Sequence, residues 1–297
     1  MQGDLCATGF FVTVHASSLP GRAHVYFVTA RHVAEGLEGR EGIYFLVNKK
    51  GGGTISVPSS DKHFYFHPTD PAADVAVIRC GFAKGMDFVA TNINDLLTPE
   101  SIREKNIGIG DEVFITGLFK PASGLDRVMP ILRYGNIAMI PEEPVQTELG
   151  YAEVYLIEAR SIGGVSGSPV FVRETVAVEQ KKKDGTTVVF HGIGESHCIG
   201  LMQSHWDILP QEMNDASVNQ NRKAGVNLGI AVVTPAIKII ETLKRPELMK
   251  SREAEEEKLR KQMVPGMDSA ERREPEPMPF TKADFESALK KASRKKG

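Results

Sequence analysis

Cysteine, net charge and long apolar runs are all scarce in this sequence. Its three cysteines, Cys6, Cys80 and Cys198, cannot all pair, and each lies in an apolar stretch where a free thiol behaves as a small hydrophobe. That argues against a disulfide-stapled scaffold and for a reducing compartment, so the expected location is cytoplasmic. Charge is nearly balanced, 36 basic against 38 acidic residues for a net of -2, so no global field draws the chain to nucleic acid or to a membrane surface. No stretch approaches the roughly 18 apolar residues of a membrane span. The opening MQGDLCATGFFV has neither the basic segment, the apolar core nor the small-residue cleavage site of a secretory leader. The expectation is a soluble protein that engages neither nucleic acid nor membrane.

What is present is a long succession of short apolar or alternating runs. They are separated by Gly, Pro, Asn and Asp, the signature of an all-β domain. In the first part these runs cover residues 10–15, 25–29, 43–47, 54–57 and 74–80, rich in Val, Ile, Phe and Tyr. A second set covers 112–118, 127–140, 153–159, 169–178, 186–190, 198–203 and 227–233. Roughly six strands each is the count for two closed antiparallel barrels, one at about residues 5–86 and one at about 108–234. The polar segment between them, where LTPES offers a short helix start, reads as the crossover. Asp184-Gly185 supplies the positive φ angles of a two-residue hairpin turn, and predicts a protruding hairpin with solvated lysines at its tip. Thr234 as N-cap and Pro235 in the first turn predict a closing helix over 235–244, completing a domain of residues 1–244. Residues 245–280 are charged and then Pro-rich and read as an extended or partly helical linker. Residues 281–297 are predicted to form an amphipathic helix ending in basic residues, which docks on a protein partner, docks back on the domain or frays at the surface.

Three local patterns carry chemistry, and they matter jointly. In YFVTARHVA a β-branched strand delivers His32 to a short helical turn. In PAADVAVIRC, Asp74 precedes a continuous apolar run, where a buried carboxylate needs a partner and an imidazole N–H is one. In SIGGVSGSPVF, Ser166 lies between Gly164 and Gly167, and Gly164 lets its own N–H and that of Ser166 converge on one point. Two such donors make an oxyanion hole. Taken singly, each pattern has an ordinary structural explanation: a solvated histidine, a loop-ending aspartate, a glycine-rich turn.

The segments TARH, DVAVI and GVSGSP resemble the triad motifs of the chymotrypsin-like serine peptidases, in particular the bacterial and HtrA-like branch. The order is the same, His then Asp then Ser. ATGFFV is similar to the family's opening strand, and NLGIAVVTPAIKIIETL to its last strand and closing helix. The resemblance implies an all-β fold of two six-stranded barrels and an endopeptidase acting on protein or peptide substrates without a cofactor. It implies that Ser166 Oγ attacks the scissile carbonyl, that His32 takes and returns the proton, and that Asp74 holds the imidazole. The N–H groups of Gly164 and Ser166 would bind the oxyanion. Val165 replaces the aspartate of zymogen-activated members, Ser168 replaces the commoner glycine, and the stretch after the closing helix is too short for a PDZ domain. The resemblance places the pocket walls near 158–163 and 201–205, making Arg160, Ser161, Met202, Gln203 and Ser204 the substrate-binding candidates. Arg160 either favours an acidic side chain or faces solvent and pairs with Glu158. His191, His197 and His205 lack the acidic or thiolate set a zinc site requires, so no metal is expected.

Two other readings compete. A catalytically silent relative would use its barrels as a peptide-binding or scaffolding module through the C-terminal tail. An α/β-hydrolase would need glycine where Ser168 stands and its catalytic histidine after the serine, whereas the candidate His32 precedes Ser166.

Overall fold

The computed structural model describes residues 7–37, 44–59, 63–81, 84–159, 164–181, 187–208 and 226–262. The first half contains β1 (Phe10–His15), β2 (Ala23–Thr29), helix α1 (Arg31–Glu35), β3 (Tyr44–Lys49), β4 (Thr54–Pro58), β5 (Tyr65–Phe66), β6 (Ala76–Arg79), β7 (Met86–Asp87) and β8 (Ala90–Asn92). A short helix α2 (Pro99–Glu104) leads into the second half. There follow β9 (Glu112–Leu118), β10 (Pro130–Met139), β11 (Val145–Thr147), β12 (Gly150–Ala152), β13 (Tyr155–Glu158), β14 (Pro169–Lys181), β15 (Thr187–Ile208) and β16 (Val226–Pro235), closed by α3 (Ala236–Leu243) and α4 (Pro246–Gln262).

Alternation along the first strands divides their side chains between two cores. Phe10 and Val12 of β1, Tyr26 and Val28 of β2 and Val77 of β6 face one cluster, which they share with Cys198, Leu201 and the α3 residues Ile239 and Leu243. Phe11, Val25, Ala76 and Ile78 face the other, against Phe45, Val47 and Val57. A sheet covered on both sides has no polar face, which is why these segments read as unbroken apolar runs. The sheet runs β5-β6-β2-β1-β8, and β4-β3-β7 forms a second sheet over the other core. Among the described residues the Ser59 to Cys80 bridge joins them, and β7 and β8, two residues apart in the chain, pair with β3 of one sheet and β1 of the other.

The second half is a closed barrel in the order β10-β13-β16-β15-β14-β9, filled by Val113, Ile115, Ile137, Ile157, Val172, Ile199 and Val233. The expectation of two closed six-stranded barrels is therefore met in this half. Among the described residues the first half is two facing sheets instead. Its outer strands β5 and β7 are two residues long, and β8 runs parallel to β1 over three pairs.

Two runs in the second half are a single element, since β15 extends without a break from Thr187 to Ile208. β9 pairs with β14 only at Val170, Phe171 and Val172, so the β14/β15 hairpin projects off the barrel as far as the Lys181–Thr187 pair. Its Asp184-Gly185 turn lies outside the described residues. The helix start also differs from expectation. Pro235 is the N-cap of α3 without a side-chain cap, because Thr234 is still in β16 and its hydroxyl donates to Gln203 Oε1 at 3.3 Å.

The front of the segment read as a linker is helix α4, and it is docked on the first half. Leu248 is fully buried, and Arg252 donates to the Tyr26 hydroxyl and to Leu243 O while its guanidinium lies 5.7 Å over the Tyr26 ring. Arg79 pairs with Glu255. Residues 263–280 and the basic helix expected at 281–297 lie outside the described residues. No helix among the described residues is long and apolar enough to cross a membrane.

Candidate active site

His32 stands in the first turn of α1, a helix whose N-cap, Ala30, has no side chain able to accept from the free N–H groups. Asp74 fills that role from 42 positions away, its Oδ1 accepting the His32 backbone N–H at 3.0 Å. Such a bond satisfies a donor that a helix start otherwise leaves orphaned. The other oxygen, Oδ2, lies 2.8 Å from His32 Nδ1. A carboxylate only accepts, so Nδ1 carries the proton and Nε2 is left as the acceptor. Asp74 is fully buried while the imidazole is 42% exposed, an arrangement in which the acid is shielded and the base opens to solvent. The hydrogen bond that His32 donates to Asp74 raises the His32 pKa above 6.5. Burial opposes this, and the charges of Asp74, Glu148 and Glu35 reinforce it.

The loop carrying Asp74 is itself clamped. Asp70 Oδ1 accepts from Ala72 N at 3.0 Å, and its carboxylate meets Lys238 of α3 at 2.9 Å. His67 bridges Asp70 N, at 2.9 Å, to Glu241, at 2.7 Å. Arg31 reaches over to Pro71 O at 3.0 Å. Helix α3, read from sequence only as a closing element, thus frames the segment that presents the acid.

Ser166 occupies the second position of a β-turn in which Ser168 N donates to Val165 O at 2.9 Å. The third position, Gly167, has φ of 81°, as a type II turn requires and as side-chain-bearing residues rarely adopt. The turn is pinned on one side by Val165, buried in the barrel core. On the other side Gly167 N donates to Met202 O and Met202 N to Ser168 O, each at 2.8 Å. Gly167 also makes the join to the first half. A Cβ built there would meet Ala30 N at 3.0 Å and lie closer still to Thr8 O and Thr29 Oγ1. Only a glycine lets the Ser166 turn press against Ala30, the N-cap of α1, and so against the neighbourhood of His32. Among the described residues no hydrogen bond joins Ser166 to His32.

Gly164, with φ of 106°, is held through its carbonyl, which accepts from Thr8 Oγ1 at 2.7 Å. Its N–H and that of Ser166 donate to no acceptor among the described residues. Thr8 was not singled out from sequence. Its N–H donates to Ser166 O, its hydroxyl bridges Leu118 N and Gly164 O, and its carbonyl accepts from Thr29 Oγ1. A threonine beside a strand start carries no mark of bonds to residues so distant in sequence. Ser168, where glycine is commoner in the family resembled, is fully buried. Room for it comes from Gly117, whose missing Cβ would overlap its hydroxyl.

Of the substrate-binding candidates, Arg160 and Ser161 lie outside the described residues. Met202 has its side chain in the barrel core, and both its backbone groups bond the Ser166 turn, at Gly167 N and Ser168 O. Gln203 is buried against Thr234. Ser204 is half-buried and pairs with Val232 of β16. The ladder of β15 with β14 ends at Leu201, while its ladder with β16 continues to Ile208. His197 approaches Glu174 at 3.5 Å, where Lys105 also reaches the same carboxylate. Among the described residues no group of three or more His, Cys, Asp or Glu gathers as a metal site.

No family model matches the chain, and no curated protein does. Among solved structures it is similar to the MamO protease domain from Magnetospirillum magneticum in its apo form, at 14% identity over 65% of this chain and 94% of that one, with a TM-score of 0.37. It is similar to Deg5 at 16% identity over 60% and 68%, TM-score 0.36. It is also similar to the HtrA-type protease AlgW with a decapeptide, at 14% identity over 84% and 72%, TM-score 0.40.

Proposed function

We propose that this protein is a serine endopeptidase of the chymotrypsin-like type, cleaving protein or peptide substrates in the cleft between its two halves. One observation carries the reading: a buried carboxylate holds His32 at two points, its backbone N–H and the Nδ1 of its part-exposed imidazole, and Gly167, the residue after Ser166, packs against the same helix start. Asp74 orients His32 with Nε2 free. Nε2 takes the Ser166 proton as Oγ bonds to the carbonyl carbon, and returns it to the leaving amine when the C–N bond breaks. The N–H groups of Gly164 and Ser166 receive the oxyanion. The serine to histidine hydrogen bond forms when substrate closes the cleft, since such bonds often tighten only in the complex. Residues 203–205 of β15, past the end of its ladder with β14 at Leu201, suit an extended substrate adding as a strand. The buried free thiols of Cys80 and Cys198 support a cytoplasmic setting.

Replacing Ser166 with Ala is expected to abolish both casein hydrolysis and covalent labelling by a fluorophosphonate. Labelling that survives the substitution refutes the assignment. The second reading, a silent scaffold, is favoured by the absence of a Ser166 to His32 bond. It predicts a folded wild type that the probe never labels. Because α4 is part of the fold, a deletion testing the tail must begin after Gln262.

A further inference from the structure

A cation that the triad does not use lies beside the nucleophile turn. β9 ends at Leu118, and the chain passes through Phe119 into a single 3-10 turn, Lys120–Ala122. The Cα of Gly164 faces this turn: a Cβ built on it would lie 3.0 Å from Lys120 Cγ, 3.1 Å from Leu118 O and 3.5 Å from Lys120 Cε. The apolar stem of Lys120 therefore runs along the Gly164 backbone as far as Cε, which leaves its ammonium, one bond further, within reach of a proposed oxyanion donor. The two are fixed to each other through one side chain, because Thr8 Oγ1 accepts from Leu118 N at 2.8 Å and donates to Gly164 O at 2.7 Å. Lys120 is exposed. The lysines engaged in ion pairs among the described residues are Lys105, Lys238 and Lys261, so no carboxylate among them pairs with Lys120.

We propose that Lys120 is an electrostatic positioning residue of the oxyanion site, an inference that rests on the peptidase reading. The carbonyl oxygen is neutral in bound substrate and gains a full negative charge as Ser166 Oγ bonds to carbon and the π pair moves onto oxygen. A fixed cation at that place stabilises the transition state more than the ground state. It should therefore act on kcat and leave KM alone. A substrate carboxylate bound by the same ammonium would act on KM.

The test compares wild type with Lys120→Met and Lys120→Arg, using an uncharged peptide substrate and a fluorophosphonate probe. Methionine keeps the stem against Gly164 and removes only the charge; arginine keeps the charge. For Lys120→Met the expected result is a fall of about tenfold in kcat and in labelling rate at low salt, with KM and melting temperature unchanged. The deficit should shrink as salt screens the wild-type charge, and Lys120→Arg should stay within about threefold of wild type. Equal kcat in wild type and Lys120→Met overturns the proposal, as does a rise in KM at constant kcat. Should Lys120→Met fail to fold, the salt dependence of the wild-type kcat decides, and a flat profile overturns the proposal. A wild type that the probe never labels refutes the peptidase reading itself, which separates that failure from failure of Lys120 alone.

Discussion

Gly167→Ala tests the junction on which the site depends. At φ of 81° an alanine pays about 1–2 kcal/mol of backbone strain. Its methyl would also sit 3.0 Å from Ala30 N and nearer to Thr8 O and Thr29 Oγ1, all backbone or short, anchored groups that cannot swing aside. The turn must back away by about 1 Å, and displacements of that size near reacting groups cost about 100-fold in rate. Retreat also strains the Thr29 to Thr8 bond of 2.7 Å and the Gly167 to Met202 bond of 2.8 Å, each worth about 1 kcal/mol. The variant is therefore expected to lose about 2–4 kcal/mol of stability. Its fluorophosphonate labelling should slow by about 100-fold or more while it remains folded. Urea denaturation and labelling time courses on the same preparation measure both. Labelling within threefold of wild type in a folded variant would show that the contact with Ala30 does not position Ser166.

Two further predictions follow from charged groups. The acid limb of kcat/KM reports the protonation of His32, and the Asp74 hydrogen bond together with the charges of Asp74, Glu148 and Glu35 raises that pKa against the effect of burial. The base works only when neutral, so activity should fall as pH drops through a value above 6.5. Glu148→Gln should move the limb downward, more at low salt than at high, and an unmoved limb at low salt would remove Glu148 from the site's field. Glu256 of α4 is buried; that alone would raise its pKa, but hydrogen bonds from Ser18, His24 and Ser17 pull it down to about 2. A carboxylate with a depressed folded pKa stabilises above its unfolded value of 4.5 and loses that contribution as pH falls toward about 2. Glu256→Gln should cost about 2–3 kcal/mol in urea unfolding at pH 7, and the deficit should narrow between pH 4.5 and 2. An unchanged urea midpoint would mean that α4 is not anchored through this residue.

Sequence alone determined what depends on local periodicity and local turn chemistry. β1 and β9 match their apolar runs residue for residue, because alternation is a property of neighbours. The helix at Pro99–Glu104 shows the Thr98 and Ser101 capping box within its own few residues. Glycines at 164 and 167 flank Ser166 because the backbone there has positive φ, and that need is also local. Motif order was enough to nominate His32 and Asp74, which share two hydrogen bonds.

What depended on distant partners was not legible. Whether the first strands close a ring is decided by their outermost pairings, and short strands such as β5 and β7 leave no pattern to read. Residues 246–262 looked like a linker because their composition is charged. Their burial comes from Leu248 meeting the α3 core and from Glu256 finding two serine amides and an imidazole more than 230 positions away. Thr8, Lys120 and Met202 take their roles from where the chain returns in space: Thr8 ties the halves together, Lys120 lies along Gly164, and Met202 lends its backbone to the nucleophile turn. A hydrogen bond or a steric fit across such separations is specified by two segments jointly. Neither segment records it alone, and only the folded chain brings them together.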